Sequence, residues 1–141
     1  MDAKDWRNRQ TIKGTILLIR AKLLIAEPNE VIYHFLKTHF TSLSVYGEYY
    51  QIERADTAEQ IHRKGLLFGP DVCLVNSSLM QEYYKNMSMY LPETESVNLR
   101  IITYDTEKAG NLTDQELERV AKEVKMTCLK YGFLTVKWTE I

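Results

Sequence analysis

The segment Asp71-Val72-Cys73-Leu74-Val75-Asn76-Ser77-Ser78 runs from an acid through apolar residues into three small polar side chains. It reads as a buried strand, and open α/β sheets place their chemistry at the carboxyl ends of such strands. Phosphoryl transfer onto the protein would need a carboxylate there, as nucleophile and as ligand for a divalent cation. Position 76 carries a neutral amide instead, which supplies no anionic oxygen for attack or for metal ligation. The other polar residues expected at strand ends are Glu27, Asn29, Asp56, Ser77, Ser78, Thr103, Tyr104 and Asp105.

Other chemistries find less support. The chain has no GxGxxG and no GxxxxGK[ST], so the glycine loops that cradle nucleotide phosphates are absent. Ser77 and Ser78 follow a strand but lack the small flanking residues of a GxSxG elbow, so serine catalysis is not expected. His34, His39 and His62 share no face with a cysteine or acid at metal-ligand spacing. Cys73 and Cys128 form no CxxC pair and read as small buried thiols. Neither a metal, a cofactor nor enzymatic activity is expected. The nine tyrosines, clustered at Tyr46-Tyr49-Tyr50 and Tyr83-Tyr84-Tyr90, are not interleaved with Lys or Arg. They suit core and subunit packing better than base stacking, and no nucleic-acid partner is expected.

These residues need elements to position them. Glu27-Pro28-Asn29 ends the apolar run Leu23–Ala26, and the proline places a strand-to-helix junction there. Ile32, Phe35, Leu36 and Phe40 then recur at helical spacing. Val45–Ile52 reads as a second strand, and Asp56-Thr57-Ala58-Glu59 as the cap of a helix that Gly69-Pro70 stops. Asp71–Val75 is the third strand, followed by a helix over Leu79–Tyr90 and a fourth strand over Leu99–Tyr104. Thr113-Asp114-Gln115-Glu116 is a capping box, and Leu117, Val120, Ala121, Val124 and Leu129 follow it at helical spacing. Tyr131-Gly132 turns into a last strand over Phe133–Trp138. Strict β-α alternation predicts a five-stranded parallel sheet with helices on both faces.

Composition sets the outer bounds. A chain of 141 residues, 45% hydrophobic and 26% charged, is one ordinary globular domain. Its formal charge of -1 offers no field to draw in nucleic acid or anionic lipid. No uncharged run approaches the ~20 residues that span a bilayer, and the amino terminus carries acids where a secretory signal is basic. A cytoplasmic location without membrane association is expected.

In this order the blocks resemble a receiver domain of two-component response regulators, over about Lys22–Lys137. Leu23-Leu24-Ile25-Ala26-Glu27 is similar to its first strand with an acidic end, and Tyr50–Glu59 to its second strand and helix start. Asp71–Val75 resembles the third strand, which in that family ends in the phosphoacceptor aspartate. Leu99–Thr103 resembles the fourth strand with its switch hydroxyl, and Phe133–Lys137 the last strand with its lysine. The departures lie in the chemistry: Glu27 is followed by Pro28 where a second acid would sit, Asn76 replaces the nucleophile, and Trp138 follows Lys137.

The resemblance implies a single flavodoxin-like, receiver-like three-layer domain over 21–141, preceded by an extension over 1–20. It implies a degenerate phosphoacceptor pocket of Glu27, Asn76, Thr103 and Lys137, with Ser77 and Ser78 as neighbours. It also implies an interaction face that includes Tyr104 and Phe133. The expected function is that of a non-phosphorylatable regulatory module in a signalling assembly, with a protein partner or a second copy. The alternatives are a switch that still answers a ligand or phosphodonor, and a small α/β enzyme.

Overall fold

The computed structural model describes residues 15–90, 99–107, 110–132 and 134–138. Residues 1–14 and Phe133 lie outside that description. The chain runs β1 (Thr15–Ala26), α1 (Glu30–Ser42), a short 3-10 turn (Leu43–Tyr46), β2 (Glu48–Ala55), α2 (Ala58–Leu67) and β3 (Val72–Asn76). It continues through α3 (Ser77–Tyr90), β4 (Ile101–Tyr104), α4 (Asp114–Tyr131) and β5 (Leu134–Trp138).

Four parallel strands lie in the order β2-β1-β3-β4, an α/β arrangement compatible with a flavodoxin-like fold. Alternation along β1 divides the core between the two faces. Ile19, Ala21, Leu23 and Ile25 face α1 and α4, where Leu36, Phe40, Val120, Val124 and Cys128 complete one cluster. Leu24 and Ala26 face the other side and pack with Ile61 of α2 and with Leu79, Met80 and Tyr83 of α3. Truncating a fully buried Leu36 or Leu74 to alanine would cost about 2–5 kcal/mol.

Local chemistry sets the boundaries. Asn29 caps α1, its Oδ1 accepting from the Val31 and Ile32 amides at 2.9 and 3.1 Å. Thr57, rather than Asp56, caps α2 through the Gln60 amide. Thr113 caps α4 through the Glu116 amide, as its capping box requires. The expected second strand over Val45–Ile52 is displaced, because Gly47 takes a left-handed φ of 83° and closes the 3-10 turn before Glu48.

The parallel sheet has four strands, not five. The last strand pairs antiparallel with β1, Leu134 opposite Ile19 and Trp138 opposite Thr15. Ile19 is also opposite Glu48, so β5 occupies the flank of β1 away from β2, below the point where β3 begins pairing at Leu23. The unpaired flank of β1 below Leu23 is what receives the strand, and α4 delivers the chain to that end of the sheet. The start of α4 bonds to the carboxyl end of β4 and Lys125 reaches Glu48 at the amino end of β2. After Gly132 the chain continues downward along the free half of β1, with no reversal into a strand beside β4. β1 itself begins at Thr15, so residues 15–20 belong to the sheet.

Candidate functional site

The carboxyl ends of β1, β3 and β4 meet at Glu27, Asn76 and Tyr104. Asn76 and Tyr104 are register partners, and Ala26, one residue before Glu27, is the partner of Val75. All three side chains are closed off from solvent: Glu27 and Tyr104 are 1% exposed and Asn76 is 3% exposed. Burial of a carboxylate is costly unless donors surround it. Glu27 Oε1 accepts from Asn76 Nδ2 at 2.8 Å and from the Tyr104 hydroxyl at 2.6 Å. Its Oε2 accepts from the Asn29 amide at 2.8 Å. Three neutral donors thus serve one acid, and burial together with the bond to Glu27 pushes the Tyr104 hydroxyl well above its ordinary pKa.

The other end of the Asn76 amide is also in use, since its Oδ1 accepts from the Ser78 amide at 2.9 Å. That bond satisfies a donor at the start of α3 and explains why the helix begins at Ser77, ahead of the expected Leu79. Arg54 fixes the turn beneath, donating from Nε to the Glu27 carbonyl and from Nη2 to the Pro28 carbonyl, both at 3.2 Å. Its guanidinium stacks 5.0 Å from the centre of the Tyr33 ring.

Outside this cluster a second, solvent-facing set closes the edge of β4. The Ser77 hydroxyl donates to Asp105, whose amide donates to Glu116 Oε2 at 2.9 Å. Arg119 binds Glu116 through Nε at 2.8 Å and donates from Nη2 to the Thr103 carbonyl at 2.9 Å. The Arg119 guanidinium holds the Glu116 carboxyl below the usual carboxylate range.

The structure brings Glu27 and Asn76 together and separates the other expected pocket residues from them. Thr103 is exposed on the face of β4 opposite Tyr104, contributing its carbonyl to Arg119 in place of a switch hydroxyl. Lys137 stands opposite Ile16, eleven residues before Glu27 on β1 and so about 36 Å away along the strand. This position follows from the antiparallel direction of β5 and removes Lys137 from the pocket. Ser78 is exposed, while Ser77 is half-buried beside Asp105.

Tyr104 is a correction of another kind. The resemblance puts it on an interaction face, yet it points into the core and ends on Glu27. Its place as a donor, and those of Arg54 and the Glu116–Arg119 pair, escape a reading by motif. Each depends on strand register, and none forms a short spaced pattern.

Among the described residues no three His, Cys, Asp or Glu side chains gather in a way that could hold a metal ion. No described helix is long and apolar enough to cross a membrane. No protein-family model matches the chain, and no curated protein matches it.

Proposed function

We propose that this chain is a receiver-like regulatory module that does not accept a phosphoryl group and acts through protein contacts. The observation that carries this reading is the donor set around Glu27. A phosphorylatable site of this topology would present a carboxylate from β3 and hold a cation between it and the acid of β1. Here the Asn76 amide donates directly to Glu27, so the space between them is a hydrogen bond of 2.8 Å. The cluster is complete without a ligand, and burial removes it from an incoming phosphodonor. The parallel order β2-β1-β3-β4, with α1 and α4 on one face and α2 and α3 on the other, supports the receiver-like frame. Fold alone does not assign a function, so the reading rests on the site.

The test is an amide NMR spectrum recorded with Mg²⁺ and beryllofluoride, together with an intact mass after incubation with acetyl phosphate. The reading expects an unchanged spectrum around Asn76 and Thr103 and an unchanged mass. A specific set of shifts at those positions, or a mass gain of one phosphoryl group, would replace it with a ligand-responsive switch.

A further inference from the structure

The two edges of the parallel sheet are treated differently. At β4 the outward Thr103 carbonyl and Asp105 amide are both occupied, by Arg119 and Glu116. Side chains of α4 stand there in place of a neighbouring strand, a common protection against edge pairing. Among the described residues the β2 edge has no such cover. Gly47 accepts from the Ile19 amide at 2.8 Å and Ala55 from the Glu27 amide at 3.0 Å, so the odd-numbered residues of β2 turn their backbone groups toward β1. Glu48, Tyr50, Ile52 and Arg54 therefore turn theirs outward. Among the described residues no hydrogen bond reaches those outward groups. The strand is eight residues long and holds no proline and no glycine.

We propose that β2 pairs with β2 of a second copy, antiparallel about a twofold axis through Gln51. Three observations favour a second copy over an unrelated strand. Pairing centred on Gln51 sets Glu48 opposite Arg54, Tyr49 opposite Glu53 and Tyr50 opposite Ile52, so no like charges stand directly opposite one another along the seam. The same register makes every outward residue of one copy meet an outward residue of the other, which yields about eight main-chain hydrogen bonds. Val45 and Tyr46, 79% and 77% exposed, lead directly into the edge and add apolar surface at both ends of a symmetric seam. The seam names one partner for the interaction-module reading and rests on it only to that extent. The Glu27 cluster lies at β1, β3 and β4, so failure of either idea leaves the other standing.

Light scattering and sedimentation of the full chain across micromolar to submillimolar concentrations should show a monomer–dimer equilibrium. Gln51→Cys places one thiol opposite itself in a non-hydrogen-bonded pair, within the Cα separation a disulfide needs. Mild oxidation should link two copies through position 51 at least about tenfold faster than through Glu53→Cys, which faces Tyr49 in this register. Ile52→Pro deletes an outward amide only and should give a folded monomer by circular dichroism. A wild type that stays monomeric throughout overturns the proposal. Equal cross-linking at 51 and 53 overturns it too, and that comparison decides the matter if Ile52→Pro does not fold.

Discussion

Replacing Asn76 by aspartate probes the charge of the cluster directly. The change is nearly isosteric, but it exchanges a donor 2.8 Å from Glu27 Oε1 for a second acceptor. In the wild type Glu27 only accepts hydrogen bonds, three of them, and the introduced carboxylate removes one of those donors. Two carboxylates about 4 Å apart repel by about 4 kcal/mol at an effective dielectric of ~20, which corresponds to about three pK units. The pair in the variant should therefore take up one proton with an apparent pKa near ~7, against ~3.9 for a free aspartate.

The sign follows from the raised folded-state value. Below about pH 4 the introduced carboxyl is protonated and donates to Glu27, and the variant approaches wild type. Between about pH 4 and pH 7 its stability relative to wild type should fall by about 1.4 kcal/mol per pH unit, then level off. Urea denaturation of both proteins across pH 4 to 8.5, analysed as the difference between their unfolding free energies, measures this slope. A difference that does not vary with pH would refute the argument.

Three further changes test neighbouring parts of the structure. Tyr104→Phe removes the shorter bond to Glu27 without a cavity and should cost about 1.5–3 kcal/mol in urea unfolding. Arg119→Met should flatten the acid limb of stability. The depressed Glu116 contributes above its unfolded pKa of about 4.3 and that contribution is lost as pH falls, so a limb as steep as wild type between pH 5 and 3 would count against the pair. Burial pushes the thiols of Cys73 and Cys128 up to about 12 and about 11, so neither should react with a disulfide reagent at pH 8 until the protein is unfolded. Rapid native labelling of either would show that its strand or helix opens locally.

The alternation of strands and helices was legible because each helix carries its own signal, as in the Thr113–Glu116 capping box and the Asn29 cap. The meeting of Glu27 with Asn76 was legible too, since both close strands that parallel topology brings side by side. The direction of β5 was not. A two-residue alternation reads the same whether its partner runs parallel or antiparallel, and only the free lower half of β1 decides it. That one reversal moves Lys137 from the pocket to the far pole. Tyr104 was misplaced for a related reason: in a four-residue strand a single step of register exchanges the core face for the solvent face. The edge caps on β4 depend on which backbone groups face outward, a property no side-chain pattern records.

The pairing of β5 with the lower half of β1 also orders events in time. β1 leaves a ribosome before its partner: Leu134 follows Ile19 by about 115 residues, ~6–23 s at ordinary synthesis rates. In that interval β2 and β3 can zip onto the upper half of β1, but its first four residues have no strand beside them. Closing that ribbon joins segments far apart in the chain, the slowest kind of contact to make. Pulsed hydrogen exchange during refolding should find the Thr15–Leu18 amides protected after those of Leu23–Ala26; simultaneous protection would show that the two halves of β1 fold as one.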